Sequence, residues 1–322
     1  MKRILCLYTG GTIGSQPGDH GLAPVADALE QPLRELIRRR SIALQLEWFE
    51  YPQLLDSSSI GPTQWNRIAR DIAARHDEFD GFVVLHGTDT LAYTAAALSF
   101  QLENLAKPVL LTGSQRPWHQ AGSDAPANVA LALKNAAGGW AGVRVAFGGR
   151  LLPGPRVRKS DADHDQAFSA PNWNGIWPEI VAPAEPLRCV EVDPDARIAA
   201  VKLYPGFACD WLAAALEQPL QALALETFGN GNLPEHAKLL ATLERQAERG
   251  ALIVNCSQCH AGRVLPGHYA ASSPLQALGA LPAGDMSIEA ALAKLYYLFA
   301  TTNSPAAARA GFMQNLRGER LL

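Results

Sequence analysis

The sequence lacks the long apolar runs of membrane proteins and the basic runs of nucleic-acid-binding proteins. The apolar stretch within residues 1–8 is too short to cross a membrane or to act as a signal peptide. The densest cationic stretch, residues 38–40 (RRR), ends a predicted helix, where cations interact favourably with the helix dipole. The formal net charge is −3. We therefore expect neither a nucleic acid nor a membrane as a partner.

Cysteine is also scarce. The 322 residues include five cysteines, an odd number scattered along the chain. Without a signal peptide these thiols are expected to stay reduced, which predicts a cytoplasmic protein. Residues 256–260 (CSQCH) match the haem-attachment pattern, but they follow a predicted buried strand and show no axial-ligand context. We interpret Cys256 and Cys259 as a chance pair of reduced thiols.

Metal and nucleotide motifs are missing too. Asp161, Asp163 and Asp165, with His164 among them, lack the glycine and the distal glutamate of a calcium loop. Residues 9–14 (TGGTIG) superficially resemble a phosphate-binding turn but match neither the dinucleotide pattern nor the P-loop pattern. The sequence therefore predicts no metal and no cofactor.

The sequence does contain short apolar runs that alternate with helical patterns, in a chain that is 48% hydrophobic and 18% charged. In the first half, the apolar runs predict strands at residues 3–8, 81–85, 108–111 and 143–147. Helical spacing predicts helices at residues 27–39, from Pro62 onward, and from behind residue 90 to about residue 104. These strands lack polar alternation and so are expected to be buried on both faces. The predicted fold class is α/β, with a mostly parallel sheet flanked by helices.

A second pattern of the same kind follows a proline-rich and acidic stretch at residues 171–195. Its strands are predicted at residues 198–204, 220–225 and 251–255, and its helices at residues 209–218, 233–249, 287–300 and 305–316. We expect a larger N-terminal catalytic domain at residues 1–185, a linker at 186–197, and a smaller C-terminal parallel α/β domain at 198–322.

Three of the N-terminal strands run into loops that are rich in glycine and hydroxyl groups: residues 9–12 (TGGT), 86–90 (HGTDT) and 112–115 (TGSQ). The carboxyl ends of parallel strands meet at one edge of a sheet, where ligands bind. Glycine allows close backbone approach, and backbone N–H groups of such turns can stabilise an oxyanion. Converging hydroxyls beside one carboxylate indicate a nucleophilic site rather than a redox or metal site.

Two of these segments carry a family resemblance. Residues 8–14 (YTGGTIG) and 86–95 (HGTDTLAYTA) resemble the two signature segments of the bacterial-type L-asparaginases. Further landmarks of that family lie at residues 112–115 (TGSQ), 156–159 (RVRK), 167–168 (AF) and 171–172 (PN). Residues 56–58 (DSS) and 315–319 (NLRGE) resemble the cytoplasmic, type I branch. The likeness covers nearly the whole chain in the same order.

The resemblance implies a catalytic set. Thr12 would be the nucleophile that attacks the side-chain amide of asparagine and forms an acyl-enzyme, although either Thr12 or Thr88 fits the first attack. Thr88, Asp89 and Lys159 would form a proton relay that activates an otherwise poor hydroxyl nucleophile. By residue type alone, Lys159 beside Arg156 and several acidic residues is typical of a solvated charged loop, so only the resemblance gives it a role.

The resemblance also implies the substrate contacts. Ser57, Ser58 and Asp89 would hold the α-carboxylate and α-ammonium groups of the substrate. Ser114 would line the same site. Asn255 would lie near the active site of a neighbouring subunit, which implies a homodimer or homotetramer with sites near subunit interfaces.

Two further positions concern regulation and a departure from the family pattern. Arg249 is the candidate that the resemblance offers for a regulatory asparagine site. Alignment of residues 21–25 (GLAPV) with the mobile loop of the family places Leu22 where a tyrosine is usual. Three interpretations remain: the alignment slips, another group such as His20 substitutes, or turnover is low. Ala170, where a serine often precedes Pro-Asn, is expected to matter little.

Rival functions use the same pocket. Glutamine differs from asparagine by one methylene, worth about 1–3 kcal/mol in a pocket, so a glutaminase or a broader amidase fits the same residues. A non-catalytic amino-acid-binding sensor that keeps the pocket without turnover also fits, and Leu22 is its best argument.

Overall fold

The computed structural model describes residues 1–19, 21–177, 184–267 and 270–321, so His20 lies outside the described residues. The chain divides into two compact units. The first comprises Met1–Ala170 and Gly175–Glu191, and the second comprises Pro171–Asn174 and Val192–Leu322. Among the described residues, no helix combines the length and apolar character needed to cross a bilayer.

The first unit contains a six-stranded sheet with the strand order β4-β1-β5-β7-β8-β9. All neighbouring strands are parallel except β8 and β9. The strands of this unit are β1 (Lys2–Gly10), β2 (Ser15–Gly18), β3 (Gly21–Pro24), β4 (Leu44–Leu55), β5 (Gly81–Leu85), β6 (Leu102–Glu103), β7 (Pro108–Thr112), β8 (Gly142–Phe147), β9 (Arg150–Pro153), β10 (Arg158–Lys159), β11 (Phe168–Ser169) and β12 (Arg188–Cys189). Its helices are α1 (Glu30–Arg39), α2 (Pro62–Ala74), α3 (Leu91–Gln101) and α4 (Ala125–Ala136).

The central strands are buried on both faces, as their continuous apolar sequences predict. In β1, Leu5 and Leu7 belong to the hydrophobic core that includes residues of α2 and α3. The alternating residues Ile4 and Cys6 belong to a second core that includes residues of α1 and α4. Helices therefore cover both faces of the sheet, which confirms the predicted α/β class with a mostly parallel sheet.

Several predicted element boundaries shift for local reasons. The helix expected at residues 27–39 begins only at Glu30, because Asp27 has a φ of 59°, outside the helical region. The helix expected to reach residue 104 ends at Gln101, and Asn104 has a φ of 58°. The intervening strand β6 pairs with β12, within the stretch expected to link the two domains.

The edge strand β4 was not predicted. Its residues alternate between buried and exposed, with Leu44 and Leu46 buried and Gln45 and Glu47 exposed. It pairs in parallel with β1 and forms one edge of the sheet, so one of its faces is solvated. Its polar alternation differs from the continuous apolar runs that marked the central strands.

The second unit is built on a four-stranded sheet in which all strands are parallel, in the order β13-β14-β15-β16. Its strands are β13 (Ile198–Lys202), β14 (Ala222–Thr227), β15 (Leu252–Ser257) and β16 (Leu281–Pro282). Its helices are α5 (Cys209–Ala215), α6 (Ala237–Glu248), α7 (Ser273–Ala277), α8 (Ile288–Thr301) and α9 (Pro305–Met313). The smaller parallel domain predicted from the sequence is thereby confirmed.

A fully buried ion pair fixes the C-terminal segment of this unit. The side chains of Lys294 and Glu319 are both 0% exposed, and Lys294 Nζ lies 2.5 Å from Glu319 Oε1. Lys294 also donates to the carbonyls of Phe312 and Gln314, and Glu319 accepts the backbone N–H of Arg317. Because these carbonyls face Lys294, the last helix ends at Met313 rather than at the predicted residue 316.

Replacing Lys294 by methionine is expected to lower the free energy of unfolding by about 3–5 kcal/mol, because the Glu319 carboxylate then stays buried without its cation. The double variant Lys294→Met/Glu319→Gln should recover part of that loss, since the glutamine is neutral and still accepts the backbone N–H groups. Urea unfolding followed by circular dichroism measures both. A single variant as stable as the wild type would contradict this role.

Candidate active site

The glycine- and hydroxyl-rich loops meet at one edge of the first sheet because β1, β5 and β7 are neighbours and parallel. The backbones touch: a Cβ on Gly11 would lie 2.4 Å from Gly87 Cα. A Cβ on Gly87 would in turn lie 2.6 Å from Ser57 Oγ. Gly11 also has a φ of 88°, so this approach requires glycine for both space and conformation.

Thr12 opens the 3-10 turn Thr12–Gly14 directly after this contact. Its side chain is partly exposed, whereas Ile13 is fully buried. The Ile13 carbonyl accepts the N–H of Trp118 at 2.9 Å, and the Ser15 hydroxyl donates to the Gly11 carbonyl at 3.1 Å. Thr12 therefore lies on an anchored turn at the edge of the sheet, within reach of solvent.

Thr88, Asp89 and Lys159 form a hydrogen-bonded cluster. Lys159 Nζ donates to Thr88 Oγ1 at 2.9 Å and to Asp89 Oδ1 at 2.7 Å. The Thr88 residue is 6% exposed, the Lys159 side chain 20% and the Asp89 side chain 61%. Lys159 thus faces a buried hydroxyl and a carboxylate that reaches solvent. The expectation from residue type alone, a solvated charged loop, does not describe this side chain.

The placement of Lys159 depends on its backbone pairing. Lys159 pairs with Phe168 in the short antiparallel ladder of β10 and β11. Phe168 is buried, and its ring packs edge-on against Phe147 with 4.9 Å between ring centroids. The core therefore anchors the strand that carries the lysine, so that its long side chain starts from a fixed backbone position.

The paired serines lie beside the Asp89 loop. Ser57 is buried, and its hydroxyl oxygen accepts the backbone N–H of Asp89 at 3.2 Å. Its carbonyl accepts the hydroxyl of Thr90 at 2.6 Å. Ser58 is exposed, and hydrogen bonds from its hydroxyl and backbone N–H lower the pKa of Asp56. The structure therefore brings Ser57 and Asp89 together and leaves Ser58 at the surface.

The predicted oxyanion donors from the glycine turns are only partly available. The N–H of Gly11 donates to the Leu55 carbonyl at 3.0 Å and is therefore already used by the fold. The N–H of Asp89 is likewise directed at Ser57. The expectation that glycine-bearing turns supply these donors is wrong for Gly11, because this N–H holds the loop that carries Thr12 against β4.

Of the two neighbouring residues Ser114 and Gln115, the structure brings Gln115 into contact with Thr88, whereas Ser114 was the residue predicted to line the site. The Ser114 hydroxyl is buried and donates to the Arg116 carbonyl at 2.6 Å, so it stabilises its own loop. From the sequence, Gln115 is notable only as part of the TGSQ segment. Its side-chain oxygen accepts the Thr88 hydroxyl at 3.2 Å, and its side-chain nitrogen donates to the Ala162 carbonyl at 2.7 Å. Only these contacts across the fold reveal its position.

His86 is a buried neutral group next to the cluster. Its Nδ1 lies 2.7 Å from the Gly87 carbonyl, which can only accept, so Nδ1 carries the proton. Its Nε2 then accepts the hydroxyl of Thr94 at 2.9 Å. Burial lowers the pKa of His86 from 6.5 to about 4. The imidazole therefore supports the backbone at neutral pH rather than exchanging protons with a substrate.

The lowered pKa of His86 predicts a pH dependence of stability. The unfolded chain protonates this histidine near its ordinary pKa of 6.5, whereas the folded chain resists protonation until about pH 4. The free energy of unfolding should therefore fall as the pH drops through this window, by about 3 kcal/mol in total from this group. His86→Gln should show a shallower decline over the same window in urea unfolding. An identical decline would contradict the assignment.

Leu22 offers no hydrogen-bonding side chain, and Asp161 and Asp165 of the acidic segment have partners of their own. Leu22 lies in β3 of the hairpin β2–β3 and is 56% exposed. Asp161 accepts the backbone N–H groups of Asp163 and His164, which lower its pKa, and Asp165 pairs with Arg116 at 2.7 Å.

Within the described residues, no group of three or more histidine, cysteine, aspartate or glutamate side chains could hold a metal ion. All five cysteines are free thiols.

Asn255 and Arg249 belong to the second unit. Asn255 lies in β15, where its amide donates to the Gly231 carbonyl at 3.1 Å and accepts the Thr227 hydroxyl at 2.7 Å. Arg249 follows α6 and donates to the Glu217 carbonyl at 2.7 Å. The side chain of Asn255 is thus held in one orientation within β15, which continues to Ser257 rather than ending at residue 255 as predicted.

Sequence and structure comparisons agree with this architecture. The family model for the N-terminal domain of asparaginase matches residues 3–180, and that for the glutaminase/asparaginase C-terminal domain matches residues 197–312. L-asparaginase 1 of Escherichia coli K12 is 39% identical over 99% of this chain and 98% of its own length.

Solved structures also match over nearly the full length of the chain. The crystal structure of L-asparaginase I from Vibrio cholerae has a TM-score of 0.88 and 41% identity, and the match covers 100% of this chain and 99% of that one. The probable cytoplasmic L-asparaginase from Campylobacter jejuni has a TM-score of 0.79 and 25% identity, with coverages of 98% and 100%. These matches confirm the resemblance drawn from the motifs: the chain belongs to the asparaginase family.

Proposed function

We propose that this protein hydrolyses L-asparagine to L-aspartate and ammonia, with Thr12 as the nucleophile and Thr88, Asp89 and Lys159 as a proton relay. The cluster of Lys159 Nζ with Thr88 Oγ1 at 2.9 Å and Asp89 Oδ1 at 2.7 Å carries the proposal. It joins a base, a hydroxyl and a carboxylate at the sheet edge where Thr12 lies. The full-length relatives named as L-asparaginases support the substrate.

The reaction proceeds in two halves. In the first, Thr12 Oγ bonds to the side-chain carbonyl carbon of asparagine, the hydroxyl proton passes to the amide nitrogen, and the C–N bond breaks to release ammonia. In the second, water attacks the resulting ester, gives its proton back to Thr12 Oγ and releases aspartate. Both halves need a group that removes a proton from a weak nucleophile.

Lys159 and Thr88 supply that group. A neutral Lys159 amine takes the proton of the Thr88 hydroxyl as Thr88 takes one from the nucleophile. The Asp89 carboxylate at 2.7 Å stabilises the ammonium that forms. Thr88 is buried, which strengthens these electrostatic interactions relative to those in bulk water. Thr88 itself is the alternative first nucleophile, since its hydroxyl is the one in direct contact with the amine.

The substrate groups find complementary partners in the same place. The partly exposed Asp89 carboxylate suits an α-ammonium group. Ser57 accepts the Asp89 N–H through its oxygen, which leaves its own hydroxyl proton to donate to an α-carboxylate. Ser58 lies at the surface, and its hydroxyl and backbone N–H are directed at Asp56, so Ser58 would have to turn away from Asp56 to donate to the substrate. A zwitterionic amino acid is therefore the substrate class that these groups fit.

Release of ammonia from asparagine and from glutamine by the purified protein tests the proposal. Turnover of asparagine with a higher kcat/KM than glutamine supports it. A preference for glutamine would favour the glutaminase alternative, and binding of asparagine without ammonia release would favour the sensor. Leu22→Tyr is measured beside the wild type, and a gain in turnover would show that the hairpin position limits the rate.

We further infer that the protein is a cytoplasmic homodimer or homotetramer in which Asn255 contributes to the site of a neighbouring subunit. The family resemblance supports this arrangement, and the name of the Campylobacter relative supports the location. Subunits of Thr12→Ala and Asn255→Ala, mixed after mild dissociation, test it. If sites are shared, each mixed dimer regains one of its two sites, so a 1:1 mixture that re-associates at random regains about a quarter of the wild-type sites. Shared sites are ruled out if the re-associated mixture gains no activity over its parents.

A further inference from the structure

Gln115 lies between Thr88 and the segment that follows Lys159. Its side-chain oxygen accepts the Thr88 hydroxyl at 3.2 Å, and its side-chain nitrogen donates to the Ala162 carbonyl at 2.7 Å. Because a carbonyl can only accept, the amide nitrogen must face Ala162 and the amide oxygen must face Thr88. Hydrogen-bond chemistry therefore fixes the orientation of this side chain.

This orientation determines where the Thr88 proton points. Lys159 donates to Thr88 Oγ1 at 2.9 Å, so the oxygen lone pair faces the ammonium. The single hydroxyl proton of Thr88 is then directed to the other neighbour, Gln115. When Lys159 is neutral, the proton turns from the amide oxygen to the amine. Gln115 therefore holds the Thr88 hydroxyl in place in the resting state and releases its proton when the base is ready.

Gln115 is itself rigidly held. Its backbone N–H donates to Asp124 Oδ2 at 2.9 Å, next to the start of α4. Asn128 donates to the same carboxylate oxygen at 3.0 Å and to the Gly113 carbonyl at 3.1 Å. The loop after β7 thus has a fixed backbone on one side of Thr88.

The same loop also fixes the segment that follows Lys159. Besides the bond from Gln115 to Ala162, the Arg116 guanidinium contacts both carboxylate oxygens of Asp165, at 2.7 and 2.8 Å. The backbone N–H of Ser160 donates to the Ala167 carbonyl at 2.8 Å and closes this segment. The adjacent side chains of Gln115 and Arg116 thus both join the loop after β7 to the segment after Lys159. Of these two, only Gln115 also contacts Thr88.

We propose that Gln115 is a positioning residue for the relay. It orients the Thr88 hydroxyl and, through Ala162, sets the distance between Thr88 and the strand that carries Lys159. This inference rests on the proposed roles of Thr88 and Lys159 in asparagine hydrolysis.

Steady-state ammonia release over a range of pH tests the proposal in three variants. Gln115→Met keeps the length but removes both hydrogen bonds, and it should lower kcat about 10- to 100-fold with little change in KM. Gln115→Glu keeps an oxygen toward Thr88 and adds a negative charge near Lys159. The charge favours the ammonium form of Lys159, so the rising limb of the kcat profile should move to higher pH.

Arg116→Met is the matched control, because it breaks the other link between the loops and should leave the pH profile unchanged.

The outcomes distinguish a failure of the Gln115 role from a failure of the relay. If Gln115→Met keeps the wild-type kcat and pH profile while Lys159→Met is inactive, the relay stands and the role of Gln115 is overturned. Equal losses in Gln115→Met and Arg116→Met, with unchanged pH profiles, would also overturn it, because loop tethering would then suffice. An active Lys159→Met would instead refute the relay itself. Thermal unfolding of each variant identifies any loss of activity that comes from misfolding.

Discussion

Replacing Thr12 by alanine is expected to reduce kcat for asparagine hydrolysis by about 10⁴-fold or more, because the variant has no hydroxyl to form the acyl-enzyme. Binding of asparagine should change little, since Ser57 and Asp89 remain. The change removes only the hydroxyl and a methyl group from a partly exposed side chain, so folding should be preserved. Ammonia release measures the rate, and calorimetric titration of asparagine measures the binding.

Thr12→Ser is the control for this prediction. It restores the hydroxyl without the methyl group and should recover much of the turnover that alanine removes. If the folded alanine variant releases ammonia at the wild-type rate, Thr12 is not the nucleophile. The attack would then pass to Thr88, the hydroxyl in contact with Lys159.

Replacing Lys159 by methionine is expected to lower kcat by about 10²- to 10⁴-fold, because the relay loses its base. Methionine has a similar length and fits the partly buried path of the lysine side chain. Asp89 also loses its ion pair at 2.7 Å, so its carboxylate should bind the substrate ammonium at least as well. The loss should therefore appear in kcat and not in KM. Steady-state kinetics with asparagine separate the two constants.

Lys134→Met is the matched control for that variant. Lys134 lies in the last turn of α4 and is exposed, so its loss removes the same charge without touching the site. Its kinetics should equal those of the wild type. A Lys159→Met protein with the kcat of the control would show that the amine only balances the charge of Asp89.

The parallel sheet could be predicted because its central strands carry their own signal. Residues 81–85 form a strand at the predicted positions, since a continuous apolar run is typical of a strand buried on both faces of a parallel sheet. Pro62 marks the first turn of α2 for a reason equally local, because proline has no N–H to lose there. Such features depend on neighbours in sequence and are readable without a structure.

Elements whose stability comes from distant partners were not predicted. The hairpin β2–β3 and the edge strand β4 have mixed apolar and polar sequences, and their pairing partners define them. The tight approach of Gly11 to Gly87 explains why these two loops are rich in glycine, but the sequence could not show which glycines meet. Composition therefore indicated the site and left its internal contacts undetermined.

Within the site, too, the sequence indicated segments but did not show which side chains contact each other. Lys159 lies 70 positions from Asp89 in the sequence, so no local pattern separates it from a solvated lysine. Ser114 and Gln115 are adjacent and both polar. The Ser114 hydroxyl donates within its own loop, whereas the Gln115 side chain contacts Thr88. The family resemblance named segments that lie together in the structure. The choice between adjacent side chains required the geometry.

Rescue of Lys159→Ala by added ethylamine tests the central claim most directly, because the variant leaves space beside Thr88 and Asp89 for a small amine. Aspartate formation from asparagine is followed at several pH values and amine concentrations. The relay predicts a rate that rises with the concentration of neutral amine, and no such rise in Lys159→Ala/Thr88→Val. Turnover of Lys159→Ala at the wild-type rate without amine, or equal rescue in the double variant, would contradict a proton path through Lys159 and Thr88.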